Sequence, residues 1–323
     1  MGRGKLGSFD RLERGLHRCG VGSDQGKLGE VHCRIDGSSP VAIMSRGSNN
    51  RVFKLKRCWR NEVETMSPIK LTIEDGIATV CINRPERKNA LSVDATNGLT
   101  DAWKKIGADD TVRVAILTST DCGVFSAGLD LKEASQIARD EGVDILTKMR
   151  DPFHETMRAC KKPIIAAMTG SLMAGGMMLT LNCDLRVGLK GTKVGITEVK
   201  IGRGSPWAAP ALSMLPQPIL MEILLTGDLM PIERLHDYGF TNYLEDTPDA
   251  VRARALDLAK RIAGGAPLSV IAAKGGVRAT MDLGCAGGLE EGKRLHEVVY
   301  ASNDAIEGPR AFAEKRAPVW TGT

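Results

Sequence analysis

From residue 69 onward the apolar positions of the chain fall into regular periods. Ile69, Leu71 and Ile73 alternate with polar residues, Asp75-Gly76 supplies a turn, and Ile77 to Ile82 follows, which predicts a β-hairpin. Arg84-Pro85 ends it. Leu91, Ala95, Leu99, Ala102, Trp103 and Ile106 then recur at helical spacing, so a helix is expected from about Ser92. Val112 to Leu117 and Pro163 to Met168 are short, nearly unbroken apolar runs that read as buried strands, each leading through glycine into a helical pattern. Val187 and Val194-Gly195-Ile196 offer two more strands. From Pro206 on, helical spacing dominates, over 218–225, 231–238, 250–263, 268–281 and 289–305, with proline near several starts where its missing N–H costs nothing. Strand, strand, helix, repeated, argues for an α/β domain with layered sheets.

Composition changes the picture only at the N-terminus. The 323 residues allow one large domain with an appendage, and no apolar run approaches the roughly 18–20 residues of a bilayer span. Of the net charge of +5, residues 1–65 carry more than all, with 13 Lys/Arg against 7 Asp/Glu. This segment holds 10 glycines and no sustained hydrophobic period, so disorder is its default expectation. The basic run Arg51 to Arg60 suits a solvated tail or contact with nucleic acid or anionic lipid. The arginines also fit an organelle transit peptide, against which the seven acidic residues count. Met66, just before the first clean strand, is a third possibility as the natural start. Eight cysteines without CxxC pairs or Cys/His clusters fit reduced thiols in the cytoplasm, or in an organelle matrix if the extension is a transit peptide.

Three stretches carry candidate chemistry. Asn83-Arg84-Pro85-Glu86-Arg87-Lys88-Asn89-Ala90-Leu91 is a polar loop between strand and helix, with Arg87 and Lys88 available for phosphates; alone, it reads as a surface loop. Phe125-Ser126-Ala127-Gly128-Leu129-Asp130 is a small-residue turn opening a helix, and the Ala127 amide is the expected donor to a ligand. Met173-Ala174-Gly175-Gly176-Met177-Met178 repeats that arrangement, with the Gly175 N–H at the positive end of a helix. Two such turns can aim two amides at one oxygen, as stabilising a thioester enolate requires. Neither is a phosphate loop, and no Ser-His-Asp, Cys-His or metal-spaced cluster can be assembled; His154, His236 and His296 lie in helical pattern without partners.

In this order the motifs resemble the enoyl-CoA hydratase/isomerase (crotonase) superfamily, from about Met66 to Gly322, closing with Glu307-Gly-Pro-Arg-Ala-Phe-Ala-Glu-Lys-Arg-Ala-Pro-Val319. The resemblance implies a ββα spiral core over 66–262 and a helical C-terminal region over 263–323 that forms a homotrimer or dimer of trimers. It implies an acyl-CoA substrate, coenzyme A being part of that substrate and no further cofactor or metal being needed. It places the oxyanion hole at Ala127 and Gly175, and coenzyme A along Lys88, Ala90 and the segment Ala127, Gly128, Leu129, Asp130, Leu131 and Lys132. Phe312 and Lys315 fall where a neighbour's ligand can be reached. Asp130 is a candidate for positioning substrate or a neighbouring loop, and Asp184 for a structural cap or pair.

Hydratases of the family use two glutamates, because adding water requires one group to activate it and another to manage the α-proton. Here the second is Glu198 in Gly195-Ile-Thr-Glu-Val-Lys-Ile-Gly202, and the first position holds Met178, whose thioether moves no proton. A single carboxylate suffices to shift a double bond between C3 and C2, taking a proton from C2 and returning it at C4. The expectation is therefore enoyl-CoA isomerisation by Glu198, its pKa raised by an apolar wall of Met173, Met177, Met178 and Trp207. The alternatives are an enoyl-CoA hydratase with a non-standard second acid/base, and a non-catalytic or RNA-binding relative with residues 1–65 as its arm.

Overall fold

The computed structural model describes residues 67–323 and, before them, three short strands, β1 (Val31–His32), β2 (Ala42–Met44) and β3 (Lys56–Arg57). These pair antiparallel in the order β1-β2-β3 within a unit spanning Met1–Met66. The other residues of 1–66, and so most of the basic run Arg51–Arg60, lie outside the described residues.

The unit Ser67–Thr323 begins with the expected hairpin, β4 (Ile69–Glu74) and β5 (Ile77–Ile82), closed by Asp75 and Gly76 at φ 49° and 74°. Two positive φ values in a two-residue loop match the twist of the strands they join. Helix α1 (Val93–Ala108) starts where Ser92 accepts from the Ala95 amide, and it buries Leu99, Trp103 and Ile106.

Three times thereafter a strand of one sheet is followed by a short strand of a second. They are β6 (Val114–Ser119) then β7 (Val124–Ser126), β8 (Ile164–Met168) then β9 (Ser171–Met173), and β10 (Leu185–Leu189) then β11 (Lys193–Gly195). The first two pairs lead into helices α2 (Leu131–Glu141) and α3 (Gly175–Leu181), the third into a 3₁₀ turn at Glu198–Ile201. This alternation is the ββα spiral. With β12 (Met230–Pro231) and β13 (Tyr243–Glu245), the larger sheet runs β13-β10-β8-β6-β5-β4 and the smaller β12-β11-β9-β7. β5, β6, β8, β10 and β13 are parallel, with β4 antiparallel at the edge.

The unbroken apolar runs follow from burial on both faces. Val114 and Ile116 of β6 pack with Ile165, Ala167 and Val187 beneath Val251, Ala255 and Leu258 of the later helix Pro248–Ala263. Ala115 and Leu117 point the other way, into the main core with Leu99, Trp103, Phe125 and Met168.

The C-terminal region is helical: α4 (Gln217–Thr226), α5 (Ile232–Asp237), α6 (Pro248–Ala263), α7 (Pro267–Tyr300) and α8 (Asn303–Ala313). Gly284 has non-helical φ 74° and ψ 177°, and α7 doubles back there. The limbs pack through Gly276 against Gly292 and Thr280 against Gly288, an approach only small residues permit. The expected helix over 289–305 instead ends at Tyr300. Ser302 then caps α8 by accepting from the Ala305 amide, and α8 takes up the start of the closing motif. The 3₁₀ turns at Pro206–Ser213 and the π-helical turn at Pro152–Met157 were not legible from periodicity. Among the described residues no helix is long and apolar enough to cross a membrane.

Candidate active site

β7, β9 and β11 are neighbouring parallel strands of the smaller sheet, so their carboxyl ends emerge side by side. They carry the segments 127–130, 174–178 and 196–198. Register does the positioning: Val194 pairs with Leu172 and Gly195 with Met173, and the Ala174 amide donates to the Gly195 carbonyl at 2.9 Å. This brings the glycine turn at 174–176 and Glu198, distant in sequence from the turn at 127–130, to one place.

Absent side chains lock the two turns together. Gly128 has φ +80°, and a Cβ there would lie 2.6 Å from the Ala174 Cβ and 3.0 Å from both the Gly175 nitrogen and the Met173 oxygen. A Cβ on Gly176 would lie 2.6 Å from the Ser126 carbonyl oxygen. Ala174 itself is held at φ 51°, ψ −123°, a region alanine rarely enters, so the neighbouring contacts over-determine its backbone.

The backbone bonds reassign one donor. The Ala127 N–H donates to the Lys88 carbonyl at 3.1 Å, and Gly128 N–H to the Ser126 hydroxyl at 3.2 Å. Ala127, expected as an oxyanion donor, is thus already engaged. Leu129 is flanked by bonds from Leu91 N–H to Gly128 O and from Asp130 N–H to Leu91 O, but its own amide has no acceptor among the described residues. Nor has that of Gly175, in the first turn of α3, where helical amides lack intrahelical partners. Leu129 and Gly175 both line one cavity of about 500 Å³. The reading from sequence missed Leu129 as a donor because the pairing of Ala127 with Lys88 crosses 39 residues; only the fold reveals it.

Glu198 lines the same cavity at 8% exposure, and its Oε2 has no hydrogen-bond partner among the described residues. Burial pushes its carboxyl above the usual glutamate value, opposed less strongly by the amides of Glu198 itself and Thr197. Met178 and Trp207 also line the cavity, and the Met178 terminal methyl comes within 3.7 Å of where a Gly175 Cβ would stand. Met173 is half-buried and Met177 fully buried in the main core, so of the expected methionine wall only Met178 faces the cavity. Asp151 supplies a second lining carboxylate, whose Oδ1 accepts from the Phe153 amide at 2.7 Å.

The remaining expected coenzyme A contacts divide. Ala127 and Leu131 line the cavity, whereas Lys88, Ala90, Gly128, Asp130 and Lys132 are not on its lining. Ala90 is buried with its carbonyl accepting from Arg84 at 2.5 Å. Asp130, expected to position substrate or a neighbouring loop, is bound at 4% exposure to Arg84 at 3.1 Å and Arg87 at 3.2 Å and caps α2 through the Glu133 amide, which holds the neighbouring loop. Burial opposes its ionisation, but the Glu133 amide and the guanidinium groups of Arg84 and Arg87 hold its carboxyl below the usual range. Arg87 is correspondingly tied rather than reserved for phosphate. Buried Asn89 completes that loop by donating to the Thr120 and Val124 carbonyls at 2.9 Å. Asp184 is structural, accepting from the Ile164 amide and pairing with Lys274, each at 2.7 Å. His236 bonds Thr241 and His296 bonds the Gly292 carbonyl, both away from the cavity; the His154 side chain lies outside the described residues.

Two unengaged amides beside a buried carboxylate define a pocket for moving a proton next to a polarised carbonyl. Residues 72–323 match the family described as "Enoyl-CoA hydratase/isomerase". The chain is 34% identical to (E)-benzylidenesuccinyl-CoA hydratase of Thauera aromatica, over 79% of this chain and 99% of that one. It is 32% identical to carnitinyl-CoA dehydratase of Salmonella typhi, over 79% and 98%. The crystal structure of an enoyl-CoA hydratase from Mycobacterium tuberculosis H37Rv superposes with a TM-score of 0.71 at 36% identity, covering 80% of this chain and all of that one. The chain belongs to the enoyl-CoA hydratase/isomerase family of enzymes, the crotonase superfamily.

Proposed function

We propose that this enzyme acts on an unsaturated acyl-CoA through a thioester enolate and shifts its double bond, with Glu198 as the proton shuttle. The observation that carries this is Glu198 on the cavity lining with a buried Oε2 that has no partner among the described residues, and Met178 where a second glutamate is expected. The amides of Leu129 and Gly175 hold the thioester oxygen as charge develops on it, and the adjoining helix end adds a favourable dipole. Glu198 takes a proton from C2 of a 3-enoyl thioester. The C–H electron pair passes into a dienolate, and the same carboxyl returns the proton at C4, leaving the double bond between C2 and C3. Atoms balance without water or a bound cofactor, coenzyme A being part of the substrate.

A second reading, addition of water to a 2-enoyl thioester, is favoured by the activities named for the relatives and by Asp151 as a second carboxylate on the cavity wall. Supplying 3-enoyl-CoA and 2-enoyl-CoA separately decides between them. Isomerisation of the first without hydration of the second is the expected result; rapid hydration of the 2-enoyl substrate overturns the shuttle reading. In the same assay Met178→Glu is expected to introduce hydration, because it restores a second carboxylate beside Gly175.

The C-terminal helices leave Val277, Met281, Leu283 and Leu289 exposed on α7 and Ile306 and Phe312 on α8. We infer that this apolar surface is covered by other copies in a homotrimer or dimer of trimers. Light scattering is expected to give the mass of three or six chains; a monomer mass at micromolar concentration would overturn this.

A further inference from the structure

Two arginines line the cavity, and their guanidinium groups are engaged very differently. Arg150 is spent on structure: it binds the Asp101 carboxylate at 2.7 and 2.8 Å and the Asn97 side chain and carbonyl at 3.2 and 2.9 Å, fastening its loop to α1. Arg203 binds only Asp144, through Nη1 at 3.1 Å and Nη2 at 2.9 Å, which leaves its remaining donors without an acceptor among the described residues. Arg203 lines the cavity and its counter-ion Asp144 does not.

The backbone ties Arg203 to the proposed base. Its N–H donates to the Glu198 carbonyl at 3.0 Å, closing the 3₁₀ turn through Gly202 at φ 66°. Wherever Glu198 is set against a substrate, Arg203 is set at a fixed offset. Much of the rest of the lining is apolar, including Leu146, Met149, Ile201, Pro206 and Trp207. An uncharged acyl chain filling this space would strip water from a cation and give nothing back. A carboxylate would instead accept charge-assisted hydrogen bonds from a planar fork already oriented by Asp144.

We infer that Arg203 recognises a carboxylate on the acyl group, so that the preferred substrate is the coenzyme A mono-thioester of an unsaturated dicarboxylic acid. The inference rests on the cavity being an acyl-CoA site, but not on which reaction follows.

Saturated thioesters separate the two questions, because they bind without turnover. Dissociation constants of glutaryl-CoA and adipyl-CoA would be measured calorimetrically against pentanoyl-CoA, hexanoyl-CoA and free coenzyme A, for the wild type, Arg203→Met and Arg203→Lys. The wild type is expected to favour at least one dicarboxylic thioester by about tenfold or more over its neutral counterpart. Arg203→Met is expected to abolish that preference by weakening the dicarboxylic thioester alone, and Arg203→Lys to restore part of it, keeping the charge but not the fork. Equal wild-type affinity for both classes overturns the inference. So does a parallel loss of every thioester and of free coenzyme A in Arg203→Met, which would place the guanidinium on a coenzyme A phosphate or in loop positioning. Binding of neither class by the wild type would sink the acyl-CoA reading itself, a result distinct from loss of selectivity.

Discussion

Glu198→Gln is expected to lower turnover of an enoyl-CoA by about 10²–10⁴-fold, the usual contribution of a positioned general base, while thioester binding survives. Glutamine keeps the shape of the side chain and removes only its ability to take a proton. The amides of Leu129 and Gly175 remain, so affinity for a saturated acyl-CoA is expected to stay within a few-fold of wild type. Retained turnover in the variant would move the base elsewhere, and Asp151, the other carboxylate on the cavity wall, would be the next to test.

The same substitution has a stability signature of definite sign. Burial raises the Glu198 carboxyl above the ordinary glutamate value of 4.5, so between that value and the folded one the native protein holds a proton that the unfolded chain has released. The contribution of Glu198 to stability is fully present below about pH 4.5 and is lost as pH rises through the folded value. Glutamine is neutral throughout. The Tm of Glu198→Gln minus that of wild type is therefore expected to grow more positive from pH 5 to pH 8. In wild type the acid limb of kcat/KM is expected above pH 4.5, displaced in the same direction, as the base protonates. A Tm difference that shrinks with pH would contradict the burial of an unpartnered carboxylate.

How much of this was legible in the sequence depended on the range of the interactions involved. The hairpin at Asp75-Gly76, helix α1 behind Ser92 and the buried strands are set by local periodicity and turn chemistry; they stand where the pattern put them, except that β6 runs over 114–119, two residues beyond the expected 112–117. The glycine turns and Glu198 were legible as motifs, and parallel pairing in the smaller sheet brings them together. What was not legible depends on partners far along the chain. Nothing near Ala127 says that its amide is taken by Lys88, or that Asp130 is held by Arg84 and Arg87. Arg203 stands in no motif, and only the fold sets it on the cavity lining and pairs it with Asp144. The doubling back of α7 at Gly284 was hidden because each limb is helical by itself, and only the facing glycines betray the seam.

Gly128→Ala is expected to disable the enzyme and to destabilise it by about 3 kcal/mol, combining backbone strain with overpacking. The φ of +80° carries a penalty of about 1–2 kcal/mol for any residue with a Cβ. The added methyl then meets the Ala174 Cβ at 2.6 Å, and neither partner can yield cheaply: Ala174 has no side-chain freedom, and its backbone is pinned through the Gly195 carbonyl. Relief requires the turns at 127–130 and 174–176 to separate. That movement parts the Leu129 and Gly175 amides, so turnover is expected to fall by about 10²–10³-fold, as when one oxyanion donor is removed. Gly142→Ala isolates the crowding term. Gly142 ends α2 at φ +69°, yet a Cβ there meets nothing within 4 Å. It is expected to lose only the strain, about 1–2 kcal/mol, and to keep turnover near wild type. Denaturant unfolding and steady-state kinetics on both variants check the pair. Equal losses of stability, or full turnover in Gly128→Ala, would mean that the interlock between the turns does not set the spacing of the two donors.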